Sequence, residues 1–334
     1  MRDSRRLGYI EVIRVIAMLM IVALHCICYY TGKWGGYGER PRIELYDGVS
    51  DILHGIALPM FTCISGFLYA LQRECGKYAD YGRFVVGKVK RLVVPMVVWS
   101  AFCMLIIPRA EFSISGLLGY HHLWFLGMLF WLFAVSPVLL RMARIGKKGV
   151  LVCAGALVVV SYLFSKNPMA RLPFELADAG KYMCAFFAGI AAGVHRKRLA
   201  EMSGARLWIV GAVLMLAFAC ESMLWRRIDS YIIAILCHFL RYVISTVLCV
   251  VVIAVFMKAE VRAGKRVAYL SALSMGIYVI HHIVIELLLK LDFVDEFMRE
   301  NVMLAPMMLM AVVMLVSTGL ADVMKRNKLL TKII

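Results

Sequence analysis

Residues 14–25 read RVIAMLMIVALH. An unbroken apolar run joins an arginine to a histidine, inside a longer stretch, 8–30, with the length and composition of a membrane-spanning helix. The chain of 334 residues is 63% hydrophobic, with a mean hydropathy of +0.82. A water-soluble domain of this size needs far less apolar surface, so the composition predicts a polytopic membrane protein. At 100° per residue, Arg14 and His25 fall about 20° apart around one helix and ~16 Å apart along it. They form one polar stripe on an otherwise lipid-soluble rod. A charge in hydrocarbon costs at least ~2.5–3.5 kcal/mol, which turns such a stripe toward a cavity or the bundle interior. Glu11, three residues before Arg14, is in position to pair with it.

Working outward, ten segments are long and apolar enough to span: 8–30, 48–72, 87–107, 122–140, 149–165, 178–194, 207–225, 231–257, 267–289 and 302–323. The basic residues before the first of them resemble the start of a signal peptide. No small-residue cleavage site follows, so an uncleaved first span is expected. With the N-terminus cytoplasmic, 25 basic residues fall in inside loops and tails against ten outside. The positive-inside rule then predicts ten transmembrane helices with both termini cytoplasmic. The net charge of +17 is explained by this loop asymmetry, and nucleic-acid binding is excluded as its cause. The ten cysteines lie mostly in apolar spans without a CxxC pair and read as small apolar fillers.

Five segments resemble, in order, the acyltransferase-3 family of bacterial integral membrane O-acyltransferases. EVIRVIAMLMIVALH (11–25) resembles its Arg–ten residues–His motif. MFTCISGFL (60–68) resembles its Ser-Gly-Phe second span, and GKVKRLVVP (87–95) its basic pair before a proline. HLWFLGMLF (122–130) resembles its Trp-Phe-Leu span, and LSALSMGIYVIHH (270–282) its late Ser…Tyr-x-x-His segment. Two positions depart from the pattern: Glu11 stands where the family has Asp, and Lys88 begins a pair that is normally Arg-x-x-Arg. Lysine offers a point charge in place of a bidentate fork. No extracytoplasmic hydrolase-like domain of the kind some members append is seen, so a single transmembrane domain, 1–334, is expected.

The resemblance implies transfer of an acyl group, commonly acetyl from acetyl-CoA, to a hydroxyl of a cell-surface glycan or its lipid-linked precursor, in the bacterial cytoplasmic membrane. Acyl-CoA is then a donor substrate, with no tightly bound cofactor. Arg14, Lys88 and Arg91 would hold its phosphates, while the pantetheine arm follows the polar stripe to His25. A histidine there suits general-base attack by the acceptor hydroxyl, or an acyl-histidine intermediate. His281 would orient the acceptor or assist His25, and Glu11, Ser65, Trp124 and Tyr278 take substrate-facing places. His282 turns about 100° from His281, as packing residues do. His121 and His122 sit at the outer edge, where a sugar would meet them, as do the loop aromatics Trp34 and Tyr37. The polar pairs Arg241–His238 and Asp51–His54 suggest further cavity lining. The histidine spacing lacks a metal-ligand pattern, so no metal is expected.

The competing reading is a transporter or flippase that moves an acyl or glycan intermediate without chemistry. A third is a sensing or uptake core serving another enzyme. Against the flippase, the chain shows no inverted repeat and no matched pair of Gly/Pro-broken spans.

Overall fold

The computed structural model describes residues 7–31, 40–107, 113–166, 175–224, 230–328 and 330–334. The calls on Trp34 and Tyr37 lie outside these. The described residues are helical with no strand: α1 Gly8–Ile27, α2 Glu44–Glu74, α3 Tyr81–Lys88, α4 Val94–Ile106, α5 Ile114–Leu117, α6 Trp124–Met142, α7 Lys147–Lys166, α8 Leu176–Val194, α9 Arg196–Glu201, α10 Gly204–Leu224, α11 Tyr231–Lys258, α12 Lys265–Leu288, α13 Asp292–Glu300 and α14 Ala305–Arg326. Among them, nine helical segments are long and apolar enough to cross a membrane, against the ten expected. The difference is α8, whose apolar residues are diluted by Asp178, Lys181 and several glycines. Its 19 residues reach about 28 Å, close to the thickness of a bilayer core. Its mild composition follows from its place, because protein rather than lipid surrounds it.

Burial separates the helices into an inner and an outer set. In α1, 61% of the apolar window is buried inside the protein, against 11% in α10. Trp208, Ile209, Val213 and Leu216 leave α10 pointing outward. An apolar surface of that kind suits acyl chains and is untenable in water. The inner set comprises α1, α2, α6, α8 and α12, with α1 packed between α2 and α12. The tightest seam joins α2 to α8. A Cβ at Gly189 would overlap the Cys63 carbonyl oxygen, and one at Gly66 the Phe186 carbonyl oxygen. Small residues allow this backbone approach, which in lipid replaces the hydrophobic effect as the source of helix association.

Between α3 and α4 the helix passes through a π turn, Val89–Val93. Pro95 follows in the first turn of α4 and has no N–H to offer the Arg91 carbonyl. The widened turn sits where the ladder is already interrupted, and it carries Lys90 and Arg91. The span expected over 87–107 thus becomes a composite rod starting at Tyr81. Short helices escaped the sequence reading. The one at Asp292–Glu300 is strongly amphipathic and too polar to register as a span. It ties down the end of α1: the Tyr29 hydroxyl donates to Asp295 Oδ1 at 2.8 Å and the Tyr30 hydroxyl to the Met298 carbonyl at 2.7 Å.

Candidate active site

A cavity of about 1050 Å³ opens between α1, α2, the α3–α4 rod, α6 and α12. Six cations line it: Arg14, Lys88, Lys90, Arg91, Lys325 and Lys332. No Asp or Glu is among its described lining residues. Deeper in, the wall turns apolar and aromatic, with Leu58, Phe61, Phe125, Leu126 and Tyr278, and with Ser65 as a polar exception. The cavity reaches Ile21, one helical turn before His25. Six cationic side chains with no acidic side chain among the described lining residues make a site for a polyanion, and the apolar sleeve suits a slender, mostly uncharged arm.

Arg14 crosses from α1 to α12, where its Nη1 donates to Ser271 Oγ at 3.2 Å. Among the described residues no ion pair joins Arg14 to Glu11, and Glu11 does not line the cavity. The expected i, i+3 pair is thereby corrected. The guanidinium turns toward the cavity and Ser271, on the face that also carries Ile21, instead of back along its own helix. Lys88 also departs from the simple picture of a free phosphate ligand. Its Nζ sits 3.3 Å from the centroid of the Phe133 ring, with Phe84 and Tyr78 at 5.5 and 5.6 Å. Three ring faces hold the ammonium at the cavity wall.

Beyond the inner end of the cavity lies a histidine cluster. His25 Nδ1 is 2.7 Å from His281 Nε2, and the two rings stack with centroids 4.9 Å apart. His281 is fully buried, and its Nδ1 donates to the Ile277 carbonyl at 3.1 Å. That bond fixes the tautomers. With Nδ1 of neutral His281 protonated, its Nε2 can only accept, so His25 must donate from Nδ1. The lone pair of His25 is then carried by Nε2. The chain of donors therefore sets His25 up as a base through one defined atom.

The cluster is larger than the sequence reading placed there. His122 lies 5.1 Å from His281 and 6.1 Å from His25 between ring centroids, and it stacks on His282 at 4.8 Å and 8°. His121 adds a tilted ring contact to His282 at 5.0 Å. His122 is buried, with the Val279 carbonyl close by; neither ring nitrogen meets that or any other described group in hydrogen-bond geometry. His282 and His122 are both members of the cluster, His122 from the very start of α6. A strained residue makes the turn: His121 sits at φ 47°, in the left-handed region, and swings His122 inward at the start of α6. The Tyr278 hydroxyl donates to the His122 carbonyl and pins this turn to α12. The signal for the larger cluster was the pair of His-His dipeptides at the ends of two spans. What the sequence withheld was that those ends meet.

Trp124 lies away from the cavity lining, its ring 5.9 Å from that of Tyr182. Ser65 and Tyr278 do line the cavity. His54 bonds Tyr182 at 3.2 Å, and Arg241 pairs with Glu221 at 2.7 Å; none of Asp51, His54, His238 and Arg241, proposed for cavity lining, is among the residues lining this cavity. Among the described residues no group of three or more His, Cys, Asp or Glu side chains is arranged to hold a metal ion.

A family model described as an acyltransferase domain matches residues 7–326, nearly the whole chain. Searches of curated proteins and of solved structures give no significant match.

Proposed function

The chain belongs to this acyltransferase family, and from that premise we propose that it moves an acetyl group from acetyl-CoA to a hydroxyl of a cell-surface glycan or a lipid-linked glycan precursor. It would do so in the bacterial cytoplasmic membrane, with both termini cytoplasmic. The observation that carries the reading is that the cationic cavity ends one helical turn from the histidine pair. Arg14, Lys88 and Arg91 stand at one end of it, and Ile21, one turn from His25, at the other. The phosphates of CoA meet the cations, and the pantetheine arm fills the apolar sleeve between Phe61, Leu126 and Tyr278. The thioester then arrives beside α1 near His25, at a distance from Arg14 of ~16 Å along the helix.

In the reaction, His25 Nε2 takes the proton of the acceptor hydroxyl as its oxygen attacks the thioester carbonyl carbon. The tetrahedral intermediate collapses, the C–S bond breaks, and the thiolate of CoA leaves with the proton that His25 has held. His281 accepts the His25 Nδ1–H throughout and supports the imidazolium as it forms. Ser65 and Tyr278 face the bound arm from opposite walls, and Glu11 and Trp124 would act only from outside the cavity.

The experiment is release of free CoA thiol from acetyl-CoA by the purified protein in nanodiscs, with and without a lipid-linked glycan fraction, alongside His25→Ala. Acceptor-dependent release that disappears in the variant is the expected result. A protein that neither binds CoA nor releases thiol would sink the reading and favour a transport pathway. A labelled acyl group trapped on wild-type His25 would replace the direct attack by an acyl-histidine intermediate.

A further inference from the structure

The family match ends at residue 326, yet the cavity wall does not. Beyond α14 the chain turns back on itself. Thr331 Oγ1 donates to the Lys325 and Asn327 carbonyls, each at 2.8 Å, and the Leu330 amide donates to Asn327 Oδ1 at 3.3 Å. A short 3₁₀ turn, Leu330–Ile333, then crosses to the α3–α4 rod. There the buried Trp99 indole donates from Nε1 to the Ile333 carbonyl at 2.7 Å. Ile334 reaches α12, where a Cβ at Gly276 would stand 3.6 Å from its own. Thr331, Lys332 and Ile334 consequently line the same cavity as Arg14 and Arg91.

We propose that this C-terminal strap is part of the donor site: Lys332, with Lys325 at its root, binds phosphate of the acyl-CoA, and the Trp99–Ile333 clamp holds Lys332 in place. The inference rests on the donor being a CoA thioester. Three observations lead to it. The strap and the end of α14 it springs from add two of the six cations in a cavity with no acidic side chain among its described lining residues. Lys325 is itself anchored, its Nζ donating to the Ala272 carbonyl at 3.4 Å on the helix that also holds Ser271, the partner of Arg14. Finally, the indole bond fixes an otherwise peripheral segment to the rod that carries Lys88 and Arg91. CoA presents a 3′-phosphate and a diphosphate, so two further cations beside the Arg14–Lys88–Arg91 group match a ligand with more than one phosphate.

The test measures binding of CoA and of 3′-dephospho-CoA to the full chain in zwitterionic nanodiscs, which removes lipid phosphate monoesters and anionic headgroups as competitors. The variants are Lys332→Gln, Lys332→Arg, Trp99→Phe and a stop after Lys328. Lys332→Gln is expected to weaken CoA about tenfold, Lys332→Arg to restore most of it, and Trp99→Phe to fall between them. The penalty should shrink for 3′-dephospho-CoA if Lys332 meets the 3′-phosphate, and persist if it meets the diphosphate; either supports the assignment. Wild-type affinity for CoA in Lys332→Gln overturns it, whatever the truncation does, and so does a loss that arginine fails to rescue. Failure of the wild type to bind CoA overturns the donor reading as well, whereas normal CoA binding with indifferent strap variants overturns this inference alone.

Discussion

His25 Nδ1 and His281 Nε2 meet at 2.7 Å, and the Ile277 carbonyl on the far side of His281 decides which of them donates. The relationship makes His281 a positioning residue, because it acts through the tautomer of its neighbour. His281→Ala should lower kcat by about tenfold to a hundredfold while leaving the KM for acetyl-CoA near its wild-type value. His281→Gln, whose amide oxygen can accept from Nδ1–H, should recover part of the loss. Steady-state kinetics of thiol release decide the matter. Equal losses in Ala and Gln would show that His281 fills space.

Arg14 and Ser271 form the bridge that turns the guanidinium into the cavity. Removing the arginine takes away a charge-assisted contact to the donor phosphate, so Arg14→Ala should raise the KM for acetyl-CoA by about tenfold or more, with a smaller effect on kcat. Ser271→Ala removes only the orienting bond. Its KM should rise by a few-fold, about what one lost neutral hydrogen bond costs. An Arg14 variant that loses kcat and keeps KM would place the residue at the reacting centre instead.

How much of this was legible before the structure depended on whether the information was local. Span positions were local, because twenty apolar residues must cross and basic loops must stay inside. Observed helices such as Tyr231–Lys258 therefore start and end within a few residues of the expected bounds. The shared face of Arg14 and His25 was local for the same reason, being a matter of 100° per residue. The choice of Ser271 over Glu11 was not: it needed the position of α12 beside α1. Likewise the His-His pairs were visible as letters, but only the packing of α1, the start of α6 and α12 makes them neighbours. α8 was read as a span like the others, yet its composition is milder than theirs, since a rod sheathed in protein has little need of lipid-soluble side chains.

Lys88 shows how a sequence-level departure can be absorbed by its surroundings. A lone ammonium has less geometric hold on phosphate than a guanidinium, and here three rings restrict where it can go. Phe133→Ala should loosen it, raising the KM for acetyl-CoA by about two- to thirtyfold, the range expected for a partly desolvated cation–π contact. Lys88→Met should do at least as much. Lys88→Arg should not improve binding, because the planar guanidinium does not fit a pocket shaped around an ammonium. If Lys88→Arg bound CoA better than wild type, the aromatic enclosure would be incidental.

Glu175 gives a prediction about stability rather than turnover. It precedes α8 outside the spans, its side chain against Gly119 and Gly127. Burial, then the hydrogen bond and charge of Asp178, push its carboxyl up to about 7. A carboxyl whose folded value lies above its unfolded one binds more protons when folded, so stability must fall as pH rises between the ordinary carboxylate range and about 7. The midpoint of thermal unfolding in detergent should therefore decline from pH 5 to pH 7 and level off above it. Glu175→Gln, fixed in the neutral form, should flatten that part of the profile and approach the wild type at the acidic end. Other groups titrate over the same range, so the informative quantity is the difference between the two profiles at each pH. A difference that stays constant from pH 5 to 8 would mean that Glu175 keeps an ordinary carboxylate in the folded protein.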